Sequence, residues 1–184
     1  VMLVIGWCQI LSPEVLRTAN IVIGAHASLL PEGKGNAPVN WAIIKGRERT
    51  GNTLIKLDEG VDTGEIVAQE NFSIAYEDTC ATLYEKVAQS NRSMLLRTLG
   101  AIQEGRFRTR SQPKSKEELW PRRRPEDGRL DWQSSSRQVY DMVRALTRPY
   151  PGAYTHVDQK KVKIWRASEV EFEGSPGSIV VRDG

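Results

Sequence analysis

Residues 21–38 read IVIGAHASLLPEGKGNAP, and this stretch decides the fold. The β-branched run at residues 21–23 is typical of a buried strand, and His26 follows almost directly. A glycine-containing loop then leads to Asn36, which predicts the N-cap of a helix with Pro38 near its first position. We therefore expect the histidine at the end of a parallel strand, where open α/β sheets bind their ligands. A lone histidine is about as often a structural residue, so the surrounding motifs decide its interpretation.

The elements around this stretch predict an α/β fold. A buried strand at residues 2–5 and a short helix capped by Ser12 precede it, so the chain opens with a βαβ unit and a parallel strand pair. The expected elements after it are, in order, a helix at 36–45, a polar turn at 47–51, strands at 53–57 and 66–69, and a long helix from about 78 to 104.

The composition of the 184 residues is that of a globular protein with room for one core, or for one domain and part of another. No apolar run reaches the roughly 18 residues of a membrane span, and the apolar start lacks the basic flank of a signal peptide. Cys8 and Cys80 are too few for a disulfide framework and match no metal motif. We interpret them as reduced thiols in a cytoplasmic protein.

The second half of the chain changes character. Residues 105–130 carry nine basic and four acidic side chains, a net charge of +5 within an overall charge of +3. This segment predicts a solvated, partly extended linker or, alternatively, a surface that attracts phosphates or RNA. The elements expected beyond it are a helix starting at 134–136 and short strands at 153–157, 162–165, 170–172 and 178–181.

Three motifs follow one another along the chain: HASLLP at residues 26–31 with its glycine loop, LDEGVDTGEI at 57–66, and RALTRPYPGAY at 144–154. In this order they resemble the folate-dependent formyltransferases, in the branch that contains methionyl-tRNA formyltransferase and the nucleotide-amino-sugar N-formyltransferases. The resemblance implies a piece of a longer protein, cut at both ends. Its parts would be the second half of a Rossmann-like, parallel-sheet catalytic domain (1–105), a basic proline-containing linker (106–128) and the start of a small OB-like β-barrel (129–184).

The resemblance also implies a reaction, in which a primary amine attacks the formyl carbon of 10-formyltetrahydrofolate. That reaction needs a group at the oxyanion and a route for the amine proton, but no metal. His26 and Asp62 match the family's catalytic histidine and aspartate. If their strands are parallel neighbours, both side chains emerge at one edge of the sheet. Gly24 stands where the family usually has a catalytic asparagine, so the amide donor expected there is missing.

Weaker assignments follow from the same resemblance. The residues expected to border the folate are Gln9, Ile10, Leu11, Gly60 and Val61. The residues expected to face the amine substrate are Ser28, Lys34 and Asn36.

Plainer interpretations compete with these roles. Asp62, followed by Thr63 and Gly64, also suits an ordinary turn. Asp58, Glu59 and Asp62 suggest a cation loop, but their spacing is not that of a calcium site.

The acceptor is the least determined part of the hypothesis. The motif around residues 37–41 and the one at 144–154 favour a nucleotide-linked amino sugar, and methionyl-tRNA is the alternative acceptor. A formyltetrahydrofolate hydrolase would use the same histidine and aspartate. A non-catalytic binding module is a further alternative, favoured by Gly24. We expect the 184 residues alone to have little or no activity, and the sequence does not indicate an oligomeric state.

Overall fold

The structure is a computed structural model that describes residues 1–7, 9–113, 118–171 and 174–181. Its helices are α1 (Pro13–Leu16), α2 (Pro38–Ile44), α3 (Cys80–Gln103) and α4 (Ser136–Leu146). Its strands are β1 (Met2–Val4), β2 (Val22–His26), β3 (Lys34–Gly35), β4 (Arg49–Lys56), β5 (Ile66–Ser73), β6 (Leu119–Trp120), β7 (Ala153–Val157) and β8 (Lys160–Ile164). The predicted α/β class is confirmed.

The main sheet has the strand order β1-β2-β4-β5. β1 and β2 are parallel, with Leu3 opposite Ile23, so the expected βαβ unit is present. From there the sheet turns antiparallel, because β4 runs against both β2 and β5. β4 and β5, the two strands predicted at 53–57 and 66–69, pair as a hairpin, but β4 starts at Arg49. The turn predicted at 47–51 is therefore partly wrong, because Thr50 and Gly51 are already buried in the strand pairing.

Three local expectations differ from the structure. The first strand is not buried, because Leu3 and Ile5 are 41% and 40% exposed at the edge of the sheet. The N-cap of α2 is Ala37, in the left-handed conformation, rather than Asn36. The two strands predicted last are also absent from the described residues: residues 170–171 and 178–181 have no strand structure, and 172 lies outside the described residues. β7 and β8 pair antiparallel, as a barrel opening requires.

The long helix α3 begins where the sequence predicts. Thr79 caps it, accepting from the main-chain N–H of Thr82, whose hydroxyl in turn accepts from the main-chain N–H of Thr79. α4 has the same capping box, made by Ser135 and Gln138. Such reciprocal caps satisfy N–H groups that a helix start leaves without partners. Because the capping residues are only three positions apart, a short stretch of sequence is enough to predict both helix starts. No helix in the described part of the chain is long and apolar enough to cross a membrane.

One hydrophobic cluster draws on both halves of the chain. It combines buried side chains of α2, α3, α4 and β7, among them Ile43, Leu83, Val143 and Ala153. The division of the chain into three parts at residues 105 and 128 therefore remains a prediction. The hydrophobic core contains residues from both sides of the predicted linker. Burying this surface holds α4 and β7 against the body that carries the sheet.

A buried arginine reinforces that junction. Arg144 of α4 is 4% exposed, and its Nε donates to Asp141 Oδ1 at 2.7 Å. Its Nη1 donates to the main-chain oxygens of Ala75 and Asp78, at 3.0 and 2.6 Å, in the turn before α3. Asp141 is equally buried and also accepts from the half-exposed Arg137 at 3.0 Å. Removing one charge from such a pair is costly because the other remains in the protein interior.

We expect Asp141→Ala to lower the free energy of unfolding by about 3–5 kcal/mol, because the buried Arg144 guanidinium loses its counterion. The matched control is Arg137→Ala, which removes the exposed partner of the same carboxylate and should cost about 1 kcal/mol. Urea unfolding at neutral pH measures both values. Equal losses in the two variants would show that burial does not set the strength of this ion pair.

Candidate active site

His26 lies at the end of β2 and is 8% exposed. Its main chain pairs with Thr53 of β4, and its Nε2 lies 2.7 Å from the main-chain oxygen of Gly33. The loop that returns to Gly33 is closed by Ser28, whose hydroxyl donates to Glu32 O at 2.7 Å. The imidazole of His26 is therefore held by the loop at residues 26–33, which begins at His26 itself and ends at its hydrogen-bond partner Gly33.

The contact with Gly33 fixes the tautomer of the neutral ring. A carbonyl oxygen only accepts hydrogen bonds, so Nε2 of His26 carries a hydrogen. In the neutral ring the lone pair is then on Nδ1, which lies 3.4 Å from Asp62 Oδ1. Nδ1 is thus the acceptor nitrogen of the neutral ring, and it faces the carboxylate of Asp62.

Asp62 is held in place by its other carboxylate oxygen. Oδ2 accepts from the main-chain N–H of Gly35 at 2.8 Å, so the aspartate joins the histidine loop to the loop after β4. Its φ of +53° lies in the left-handed region, which aspartate tolerates better than most residues. Only glycine fits two positions later, since a Cβ on Gly64 would lie 1.9 Å from the main-chain oxygen of Lys56.

The parallel-strand arrangement predicted to bring His26 and Asp62 together is wrong. β2 and β4 are antiparallel, and Leu57 N bonds to Val22 O, so β4 ends beside the start of β2. His26 and Asp62 therefore do not sit at a shared carboxyl edge of parallel strands. Instead, the loop at residues 57–65 folds back along the sheet and delivers Asp62 to the far end of β2.

Gln112 completes the support of that loop, and the sequence analysis missed it. Its Nε2 donates to the main-chain oxygens of Asp62 and Gly64, at 2.7 and 2.8 Å. Residues 66 and 110 exchange main-chain hydrogen bonds, which brings this segment against β5. The local signal was weak, because a glutamine before a proline indicates extended backbone and nothing more.

Gly24 lies two residues before His26 on β2, so a side chain there would be on the same face of the sheet. That space is already occupied. A Cβ on Gly24 would lie 2.6 Å from Leu57 Cδ2 and 3.0 Å from its Cγ. Leu57 itself packs against the buried Leu30, Ile55 and Ile66.

The structure brings together His26, Asp62 and the main chain of Gly33 and Gly35. Ser28 is 1% exposed and Lys34 is 6% exposed, whereas Asn36 is exposed. Gly60 and Val61 are exposed beside Asp62. Gln9 and Ile10 are exposed and make no described contact with either catalytic candidate, and Leu11 is half-buried. The cofactor and substrate roles of these residues remain predictions.

The chemistry available at this site is proton transfer and charge stabilisation. One nitrogen of a buried imidazole is free to accept a proton, and a fixed carboxylate lies behind it. Among the described residues, no group of three or more His, Cys, Asp or Glu side chains is placed to hold a metal ion.

Comparison with known proteins gives this geometry its context. The chain is 37% identical over 183 residues to methionyl-tRNA formyltransferase of Caldanaerobacter subterraneus, covering 98% of this chain and 59% of that protein. Among solved structures, HypX from Aquifex aeolicus in complex with tetrahydrofolic acid superposes with a TM-score of 0.82 at 26% identity, covering 96% of this chain and 31% of HypX. An N-formyltransferase from Helicobacter canadensis, in complex with folinic acid and dTDP-3-aminofucose, shares the fold, with a TM-score of 0.65 at 20% identity over 76% of this chain and 52% of that one.

Two family models match the chain directly. The formyl transferase model covers residues 1–99, and the model of the formyl transferase C-terminal domain covers residues 122–184. The chain spans 59% of the length of its Caldanaerobacter relative. The first match alone takes in more than half of the residues, and the chain therefore belongs to the formyl transferase family.

Proposed function

We propose that the protein containing this chain transfers a formyl group from 10-formyltetrahydrofolate to a primary amine. The observation that carries the proposal is the buried His26, whose Nδ1 lies 3.4 Å from Asp62 Oδ1 while Nε2 is committed to Gly33. Folate as the formyl donor is supported by HypX, a structural relative that is bound to tetrahydrofolic acid.

In the proposed reaction the amine nitrogen attacks the formyl carbon, so a C–N bond forms and the formyl oxygen becomes an oxyanion. The attacking nitrogen must lose a proton, which His26 Nδ1 accepts. Asp62 then faces an imidazolium and stabilises it. Collapse of the tetrahedral intermediate breaks the bond to the folate nitrogen, which leaves with a proton as tetrahydrofolate.

For the acceptor we propose the amino group of methionyl-tRNA. Relatives with 34–37% identity to this chain are methionyl-tRNA formyltransferases, which supports the acceptor that the sequence analysis ranked second. A nucleotide-linked amino sugar is the second candidate. The motif at residues 144–154 favours it, and so does the fold shared with an N-formyltransferase bound to dTDP-3-aminofucose.

We expect His26→Gln and Asp62→Asn each to lower the rate of formyl transfer by about a hundredfold to ten-thousandfold, because proton transfer loses its base or the charge behind it. The matched control is Glu59→Gln in the same loop, which removes an exposed carboxylate that makes no described bond and should leave the rate unchanged. The assay supplies 10-formyltetrahydrofolate to the intact protein and compares methionyl-tRNA with nucleotide-linked amino sugars. Turnover that survives both site substitutions would refute the proposed chemistry.

We expect Gly24→Asn to lower the free energy of unfolding by about 1–3 kcal/mol, because the new side chain overlaps Leu57. Adding Leu57→Ala should relieve the overlap. The double variant should exceed the starting protein in turnover by up to about a hundredfold, the value of one donor at an oxyanion. Thermal unfolding and formyl transfer are measured on the single and double variants. If Gly24→Asn alone is as stable as the starting protein, Leu57 does not block the position.

Gln112→Glu keeps the shape of the side chain and removes both hydrogen bonds to the Asp62 loop. We expect the kcat to fall by about tenfold to a hundredfold, because Asp62 is displaced from His26, while the KM for the folate stays unchanged. Gln103→Glu, an exposed change of the same kind at the end of α3, is the control. A parallel rise of KM with unchanged kcat would show that Gln112 acts in folate binding instead of positioning Asp62.

A further inference from the structure

The main-chain partners of both catalytic candidates lie within three consecutive residues. The carbonyl oxygen of Gly33 lies 2.7 Å from His26 Nε2, and the N–H of Gly35 donates to Asp62 Oδ2 at 2.8 Å. The strand at this point, β3, has only two residues, which is shorter than strands usually are. The position of both partners therefore depends on what pairs with β3.

β3 pairs with β6, and the two strands run parallel. The main-chain N–H of Lys34 donates to Glu118 O at 2.9 Å, and that of Asn36 donates to Trp120 O at 3.2 Å. Successive N–H groups of an extended chain point to opposite sides. The N–H of Gly35, between these two, accordingly bonds on the other side, in the candidate active site. β3 is thus held between β6 and the catalytic candidates.

The side chain of Trp120 packs directly on Gly33. Trp120 is 5% exposed. A Cβ on Gly33 would lie 2.7 Å from Trp120 Cζ3 and 2.9 Å from its Cη2, so only glycine lets the indole ring lie this close to the main chain. A Cβ on Gly35 would lie 2.5 Å from the main-chain oxygen of Trp120. One residue of β6 therefore contacts both glycines that bond to the catalytic candidates.

β6 is itself anchored on α2. The carboxylate of Glu118 forms an ion pair with Lys45 Nζ at 3.0 Å, at the end of that helix. On the other side of β6, Trp41 Nε1 donates to Pro121 O at 2.9 Å. The ring of Trp120 belongs to the hydrophobic cluster that contains the buried residues of α2. This part of the predicted linker is therefore fixed to the body of the fold and can hold β3 in place.

The position of the Gly33 carbonyl decides how a neutral imidazole can act. The neutral ring carries one proton, and two acceptors compete for it: Gly33 O at Nε2, and Asp62 Oδ1, which lies 3.4 Å from Nδ1. The hydrogen bond made by one ring nitrogen sets the state of the other. With Gly33 O in place, the proton stays on Nε2 and Nδ1 of His26 can accept another. If Gly33 O moved away, the proton would pass to Nδ1 beside Asp62, and the accepting nitrogen would be lost.

We propose that Trp120 is a positioning residue of the candidate active site. By packing on Gly33 and pairing through β6 with β3, it holds the Gly33 carbonyl at His26 and keeps Nδ1 free to accept a proton. The inference rests on the proposed function, because a free Nδ1 matters for catalysis only if it takes the proton of the amine. Trp120 acts through Gly33 and is not itself a catalytic residue.

The test combines ¹⁵N NMR of the histidine rings with kinetics of formyl transfer, both on the intact protein. His26→Gln identifies the His26 signals by their loss. Under mildly alkaline conditions, where histidine is neutral, we expect a protonated Nε2 and an unprotonated Nδ1 in the starting protein. Trp120→Leu keeps an apolar side chain in the core but lacks the ring atoms that contact Gly33. It should shift the proton toward Nδ1 and lower kcat by about tenfold to a hundredfold, with the KM for the folate unchanged.

The matched control is Leu83→Ala, which opens a space in the same hydrophobic cluster but on α3. It should lower the Tm and leave both the His26 tautomer and kcat unchanged. Trp120→Phe keeps an aromatic ring and should give smaller changes in the same direction as Trp120→Leu. Thermal unfolding shows which variants are folded at the assay temperature, and Trp120→Phe replaces Trp120→Leu if the latter is not.

An unchanged tautomer or an unchanged kcat in the folded Trp120 variant would overturn the proposal. Equal changes in Leu83→Ala would also overturn it, because any loosening of the core would then have the same effect. The NMR measurement needs no turnover, so the two proposals fail separately. A tautomer that depends on Trp120, in a protein without transferase activity, would refute the proposed reaction and leave the control of His26 by Trp120. Formyl transfer with a tautomer that is independent of Trp120 would refute the positioning role and leave the reaction.

Discussion

The buried guanidinium of Arg144 is the interaction on which the arrangement of the two halves depends. A charge in the interior must be met by well-placed partners, and those of Arg144 come from its own helix and from the turn before α3. This requirement fixes the end of α4 against the body. The segment after α4, with Tyr150, is thereby placed beside α2, and a cavity of about 260 Å³ is formed between them.

In the candidate active site, Asp62 is likewise held by partners from distant parts of the sequence. Asp62 has two oxygens, one directed at an imidazole and one at the N–H of Gly35, and its main-chain oxygen is bonded by Gln112. Three stretches that are distant in sequence therefore converge on one residue. Because each stretch depends on the others for its position, the geometry at His26 is a property of the assembled fold rather than of the histidine motif.

Several features that short stretches of sequence determine could be predicted. The starts of α3 and α4, the βαβ opening and the choice of His26 and Asp62 as candidates all follow from short motifs or from the family resemblance. Features set by distant contacts were not predictable in this way. The antiparallel direction of β4 and the exposure of β1 depend on which strands are neighbours, and Gln112 acquires its role only through the fold.

The packing of Leu57 against Gly24 has a consequence for substitutions at both positions. Any residue larger than glycine at position 24 overlaps the leucine, and Leu57 is in turn part of a small apolar cluster. An amide side chain at position 24 therefore needs Leu57 to shift or to be replaced, so the two positions are energetically coupled. Substitutions at positions 24 and 57 are therefore expected to be non-additive, because a smaller residue at 57 opens the space that a side chain at 24 needs.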